Sequence, residues 1–357
     1  MSPRIVLTGG GTAGHVTPNI ALIEVLQTEG WNIDYVGSAD GVECGMMKAK
    51  SIPFHAVRSG KLRRYLSWKN LWDPVNILIG IVQSFVLLRQ LKPAIVFSKG
   101  GFVAFPVVVG AWLNRIPIVA HESDLTPGLA NRLSFPFVTH ICVTFAAGKQ
   151  YFKRPEKVII TGTPIREQLL HGVAEKGLNE CGFNRDKPCL LVVGGSQGAM
   201  AMNRCVRLLL DPLLERFQVI HLCGRGKVDS TLMQKVGYYQ KEYADDELGD
   251  LFAASDLVIS RAGANAVYEI LALKKPHILI PLSLKVSRGD QVQNARFFKD
   301  QSISGVLSEE DLTPESLLAE IDSVWSKRKE IIQKIEALGI QSATLTIVQL
   351  LKEVAHV

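Results

Sequence analysis

The chain has 357 residues, more than one hydrophobic core comfortably serves, so two domains are expected. Its 47% hydrophobic content lies in interrupted stretches, the longest at 75–88 and 102–113, and both fall short of the roughly 20 residues of a membrane-crossing helix. The net charge of +6 is modest, and six cysteines (Cys44, Cys142, Cys181, Cys189, Cys205, Cys223) without a C-x-x-C pair point to reduced thiols rather than a disulfide frame or zinc site.

No charged-then-apolar leader precedes the first strand, so no secretory signal is expected. That strand, 5–7, runs straight into Gly9-Gly-Gly-Thr-Ala-Gly-His15. A helix is expected from about 18 to 29, followed by strands at 33–36 and 54–57. Between Glu43 and Asp73 no acidic residue occurs, while Lys61, Arg63, Arg64 and Lys69 alternate with Tyr65, Trp68 and Trp72. The apolar run containing Ile77 and Ile79 follows directly. Basic residues beside aromatics and aliphatics suit an anionic membrane surface, whereas nucleic acid would tolerate the charges but has less use for the aliphatics. A solvated basic loop ahead of a buried helix is the alternative.

Strands at 94–97, 116–120, 141–143 and 158–160 complete the first half, and their alternation with helical stretches reads as a parallel sheet with crossover helices. Residues 161–164 interrupt the pattern, 166–171 begin a helix-like segment, and the polar, turn-rich 172–188 read as an interdomain linker. The second half restarts with a strand at 190–193, a Gly194-Gly-Ser-Gln-Gly198 turn and a helix over 200–217. Strands at 219–222, 257–259 and 278–281 follow, with helices at 248–254 and 264–273; Asp245 and Asp246 read as caps of the first of these helices. Helical sequence runs from 314 to the end, and 340–357 is long enough to cross back onto the first domain.

The chemistry collects at the strand ends. Glycine turns let backbone approach a ligand, and the helix that follows offers unpaired N–H groups to an anion. Gly9, Gly11 and Gly14 fit the dinucleotide fingerprint G-x-G-x-x-G, yet the acid it wants, Asp34, lies inside its strand, so the fit is weak. His15, at a helix start, can take a proton from a substrate hydroxyl; a plain helix-entry hydrogen bond is its bland role. Ser98-Lys-Gly-Gly-Phe102 and His121-Glu-Ser-Asp124 follow neighbouring strands. Three strand ends thus bring Thr12, His15, Gly100, Gly101, Glu122 and Asp124 to one crevice of an open sheet. In the second half, backbone around Gly263, Ala264 and Asn265 faces a phosphate, and Glu269, a turn further on, can accept from ribose hydroxyls. Ser287 to Asn294 is rich in groups that bind sugars. No metal cluster and no G-x-S-x-G elbow is apparent.

These motifs occur in one order: Gly10 to His15, Gly100-Gly101 with Pro106, His121-Glu122, Gly162 to Arg166, Gly194 to Gly198, and Ser260 to Gly263 with Glu269. Together they resemble the MurG family over essentially the whole chain. The resemblance implies a GT-B glycosyltransferase fold: two Rossmann-like α/β domains, 1–163 and 164–340, with an interdomain cleft, and with 341–357 packing back on the first. It implies an inverting transfer, without metal or cofactor, of N-acetylglucosamine from UDP-GlcNAc to undecaprenyl-pyrophosphoryl-MurNAc-pentapeptide. Peripheral attachment to the cytoplasmic face of the cell membrane follows from it, as do contacts with other cell-wall synthesis proteins; nucleic acid is not a partner. Donor-binding positions by this likeness are Thr12, Gly14, Arg166, Ser196, Gln197, Gly263, Ala264, Asn265, Glu269 and Gln291. The acceptor side takes Thr12, His15, Gly100, Gly101, Phe102 and Asp124, with His15 and Glu122 as catalytic candidates and Asp124 an alternative base. Arg63, Arg64, Trp68, Trp72, Ile77 and Ile79 form the membrane segment. Asp124, Asp290 and Phe102 depart from the residues many relatives carry at these places, Asn, Gln and Tyr.

Overall fold

Short β-branched runs and the helices between them build two all-parallel sheets. The computed structural model describes residues 2–60, 68–195, 198–285 and 287–357, side chains of 68–71 excepted. Arg63, Arg64, Ser196, Gln197 and the Trp68 side chain therefore lie outside the described residues.

The first unit comprises 1–166 and 342–357. Its strands are β1 (Arg4–Thr8), β2 (Asn32–Gly37), β3 (Phe54–Ala56), β4 (Ile95–Ser98), β5 (Ile118–Glu122), β6 (His140–Val143) and β7 (Val158–Ile160). They pair in the order β3-β2-β1-β4-β5-β6-β7, so the order reverses between β1 and β4, where an open parallel sheet presents its ligand crevice. One face of the sheet is covered by helix Ala13–Thr28 and by helix Thr344–Ala355, whose Ile347, Val348 and Leu351 share a buried cluster with Leu22, Ile23 and Leu26. The other face buries Val107 and Val108 of helix Ala104–Leu113 together with Leu88.

The second unit comprises 167–341. It adds β8 (Cys189–Val193), β9 (Gln218–Leu222), β10 (Tyr238–Lys241), β11 (Leu257–Ser260), β12 (His277–Leu279) and β13 (Gly305–Val306), in the order β10-β9-β8-β11-β12-β13. Its reversal falls between β8 and β11.

Several expectations change. Residues 172–188 are no linker: helix Ala174–Cys181 packs within the second unit so closely that a Cβ on Gly177 would lie 2.2 Å from the Asp250 carbonyl oxygen. The helix expected over 200–217 is two, Met200–Leu208 and Leu210–Arg216, because Pro212 has no N–H with which to continue the first. The first crossover helix starts at Ala13, and Pro18 sits inside it rather than opening it. Helix Leu248–Ala254 begins at Glu247 without a side-chain cap, so Asp245 and Asp246 do not cap it. The apolar run of the first unit is longer than its sequence interruptions suggest. Helix Trp68–Leu91 is continuous, and its Trp72–Leu91 stretch, with a mean hydropathy of 1.5, is long and apolar enough to cross a membrane by length and composition.

Two buried histidines in the second unit set an acid limit to stability. Burial pushes His221 down to about 3 and His277 down to about 4, from 6.5. Such a ring takes up its proton only on unfolding, so stability is full above about pH 6.5 and falls toward pH 4 by about 1.4 kcal/mol per pH unit for each ring. Calorimetry between pH 7 and pH 4.5 is expected to show a steadily falling melting temperature. An unchanged value across that interval would mean that the rings titrate as exposed ones do.

Candidate active site

In the first unit the β1 turn is held from three sides. The Tyr35 hydroxyl donates to the Gly9 carbonyl at 2.6 Å, the Gly10 N–H donates to the Gly100 carbonyl at 3.3 Å, and the Gly11 N–H donates to Glu43 Oε2 at 3.1 Å. Gly11 has φ +85°, a left-handed conformation that favours glycine. Thr12 then opens helix Ala13–Thr28 with extended backbone and no side-chain cap, and its carbonyl accepts from the His15 N–H at 3.1 Å. The Thr12 hydroxyl lies 3.1 Å from His15 Nδ1. In the tautomer that donates Nδ1–H to Thr12, Nε2 keeps its lone pair, as a proton acceptor requires. Thr12 and Gly14 are exposed and His15 is half-buried.

The β4 turn meets the β1 turn directly. Gly100 and Gly101 have φ +92° and +88°, and a Cβ on Gly101 would lie 2.4 Å from the Gly10 carbonyl oxygen. Phe102 next to them is exposed. After β5, Glu122 is buried with both oxygens engaged: Oε1 accepts from the Asp124 N–H at 3.0 Å, and Oε2 accepts from the Gly128 N–H at 3.0 Å and Asn131 Nδ2 at 2.9 Å. Its carboxylate thus holds the loop in which the half-buried Asp124 sits, with three bonds on its roughly four lone-pair sites. His121 is buried, its Nε2 2.8 Å from the Gly162 carbonyl, and burial reinforced by nearby Lys99 holds it well below the usual histidine range.

Sequence reasoning missed Lys99 and Glu43. Lys99 is only 2% exposed and donates to the Ser123 hydroxyl. Burial lowers its ammonium to about 8, against the opposing pull of Glu122 and Asp124. A lysine between an apolar strand and a Gly-Gly pair was a visible signal for it. Asp34 is no ribose ligand, because its carboxylate is taken by His55 Nε2 at 2.7 Å and by Arg4 at 3.5 Å.

In the second unit the β8 turn carries Gly195 and Gly198 at φ +82° and +67°, and a Cβ on Gly198 would lie 2.0 Å from the Cys223 carbonyl oxygen. Asn203 supports that carbonyl with a 2.8 Å hydrogen bond and is itself within 3.1 Å of His221 Nε2. After β11, Gly263 opens helix Ala264–Ala272 with no side-chain cap, and a Cβ there would meet only open space. The ends of β11 and β12 are tied together: Asn294 Nδ2 donates to the Ala262 carbonyl at 3.2 Å, and Arg261 donates to the Ile280 carbonyl at 3.1 Å. Gln291 Oε1 accepts from the Leu282 N–H at 3.1 Å. Ala264 is buried, while Asn265 and Glu269 are half-buried on the same helix. Arg166 ends the first of the two chain segments that make up the first unit. Among the described residues, no group of three or more His, Cys, Asp or Glu side chains is placed to hold a metal ion.

Residues 5–143 match the glycosyltransferase family 28 N-terminal domain and residues 189–350 match its C-terminal domain. The chain belongs to glycosyltransferase family 28. It is 64% identical to a Legionella pneumophila (strain Paris) protein named UDP-N-acetylglucosamine--N-acetylmuramyl-(pentapeptide) pyrophosphoryl-undecaprenol N-acetylglucosamine transferase, over 100% of this chain and 98% of that one. A protein of the same name from Lachnoclostridium phytofermentans is 52% identical over 98% and 99% of the two chains. The crystal structure of Acinetobacter baumannii MurG superposes with a TM-score of 0.75 at 24% identity, covering 98% of this chain and 99% of that one. The family 28 membership and this likeness make the two parallel-sheet units a GT-B fold, and the chain a glycosyltransferase.

Proposed function

We propose that this family 28 enzyme transfers N-acetylglucosamine from UDP-GlcNAc to the C4 hydroxyl of the muramyl sugar of undecaprenyl-pyrophosphoryl-MurNAc-pentapeptide, a step of peptidoglycan synthesis. The observation that carries this reading is the 64% identity, across the full chain, to a relative named for that reaction. The hydroxyl attacks the anomeric carbon as UDP departs, which inverts the configuration. The reaction needs a proton acceptor at the nucleophile and positive potential at the departing diphosphate. His15, held by Thr12 on the first unit, supplies the former. Open helix N-termini at Gly263 and beyond the β8 turn, with Arg166, supply the latter without a cation. The test is radiolabelled UDP-GlcNAc with the lipid-linked muramyl-pentapeptide, assayed in excess EDTA. Label is expected in the lipid phase, and none there in the presence or absence of chelator would refute the reading.

Glu269 is assigned to the ribose hydroxyls of the donor. Glu269→Ala is expected to raise the Kd for UDP about 10- to 100-fold, the worth of one or two charge-assisted hydrogen bonds. Calorimetric titration measures this, and a normal Kd would remove Glu269 from the donor site.

We assign membrane contact to helix Trp68–Leu91. Trp72, Val75, Leu78, Val82 and Val86 recur at three- and four-residue spacing and are all exposed, so they form one apolar stripe. The opposite side is closed by its own unit: Ser84 and Leu88 are buried, and a Cβ on Gly110 would lie 2.8 Å from that of Ser84. A helix packed on one side and apolar on the other lies in the interface rather than crossing it. Ile79 is a half-buried flank of the stripe, whereas Ile77 lies on the packed side, where a Cβ on Gly60 would stand 3.0 Å from its Cγ1. The double substitution Leu78→Glu, Val82→Glu is expected to weaken binding to vesicles containing anionic lipid by about 10²-fold, and charge reversal at Arg63 and Arg64 with loss of Trp68 to act in the same direction. Cosedimentation unchanged in both variants would place the anchor elsewhere. The protein is then peripheral, on the cytoplasmic side.

A further inference from the structure

We propose that Glu43 is a positioning residue, whose buried carboxylate fixes the turn carrying Thr12 and His15; this rests on the acceptor-side reading of those two residues. Glu43 stands in the first turn of helix Val42–Ala49 and is 0% exposed. A carboxylate so placed is costly to keep unless its oxygens are met by donors. They are met by main chain from two strand-end loops: the Gly11 N–H after β1, and the Ser38 N–H after β2, which donates to Oε1 at 3.0 Å. One charged group thus ties together two turns 27 residues apart in sequence (11 to 38).

The housing fits a carboxyl group closely. A Cβ on Gly10 would lie 2.3 Å from Glu43 Oε1, one on Gly41 2.1 Å from the same atom, and one on Gly37 2.7 Å from Glu43 Cγ. None of these three glycines has a left-handed backbone, unlike Gly11 beside them. Their small size is therefore explained by the carboxylate they enclose rather than by φ. Of the three bonds that hold the β1 turn, those to Gly9 and Gly10 are between neutral groups; the Glu43 bond is charge-assisted and falls on the residue before Thr12. Losing it frees a glycine hinge at φ +85° immediately ahead of the His15 helix.

Glu43→Gln tests this, since the amide fills the same space but must turn an NH2 group toward one of the two N–H donors. With the lipid-linked acceptor, kcat is expected to fall about 10²-fold, the effect of an ångström-scale misplacement. The Kd for UDP is expected to change by less than about twofold, because Gly263 and Glu269, to which the diphosphate and ribose are assigned, stand at a helix of the second unit. Glu43→Asp keeps the charge but reaches only one donor, and an intermediate loss of about 10-fold is expected; it carries the same test if the Gln variant does not fold. Undiminished kcat, or donor affinity falling in parallel with kcat, would overturn the proposal. The contact has its own readout, independent of the reaction. Hydrogen exchange at the Gly11 amide, followed in peptide 8–14, is expected to speed up at least about 10-fold in Glu43→Gln, and equal exchange would overturn the proposal. Failure of the wild-type enzyme to label lipid would count against the functional reading alone.

Discussion

Replacing His15 by alanine is expected to lower kcat by about 10²-fold or more, while UDP-GlcNAc binding stays nearly intact. The asymmetry follows from where the ring sits. His15 is on the first unit, its Nδ1 anchored 3.1 Å from the Thr12 hydroxyl, whereas Gly263 and Glu269 stand on a helix of the second. A general base contributes at the moment the acceptor hydroxyl loses its proton and adds little to ground-state binding of the nucleotide. Thr12→Val should lower kcat by a smaller factor, because it leaves the ring but removes the partner that fixes its tautomer. Single-turnover kinetics with a donor titration measure both effects. Unchanged turnover in His15→Ala would exclude the ring as base and return the role to Asp124 or Glu122, of which Glu122 already accepts from Asp124, Gly128 and Asn131.

Gly198→Ala is expected to damage the second unit at its glycine turn. The added Cβ would lie 2.0 Å from the Cys223 carbonyl oxygen, and φ at this position is +67°. The left-handed backbone alone disfavours alanine by about 1–2 kcal/mol. The clash adds to that, because the obstacle is main chain held in place by Asn203 and cannot swing away as a side-chain tip would. A loss of about 3 kcal/mol or more would lower the melting temperature by roughly 10 °C in a unit of this size. Donor affinity should fall with it, since moving β9 relative to β8 reshapes the turn. Gly195→Ala is the control: its φ is +82°, but a Cβ there meets nothing within 4 Å, so only the backbone penalty applies. Equal melting temperatures for the two variants would contradict the steric account.

What could be read from the sequence was local in origin. Glycine turns announce themselves because strand, turn and helix are contiguous, as in Ile5 to His15 and Leu190 to Ala199. The open helix start at Gly263 was legible in the same way. Groups that work through tertiary encounter were not. Glu43 looks like any acid in the first turn of a short helix until Gly10, Gly37 and Gly41 close around it. Residues 172–188 look like a linker because their polar side chains face solvent, while the contact with Gly249 and Asp250 is made through glycines that carry no hydrophobic signal. β10 was missed because Tyr-Tyr-Gln-Lys is short and half polar, and β13 because it has two residues.

The return of helix Thr344–Ala355 to the first sheet makes that unit discontinuous along the chain. During translation, everything through Arg166 emerges while Leu22, Ile23 and Leu26 still lack the Ile347, Val348 and Leu351 that seal them. The amino-terminal lobe is therefore the last to mature, although it is made first, and 175 intervening residues (167 to 341) must be polymerised before its apolar flank is shielded from water or from chaperones.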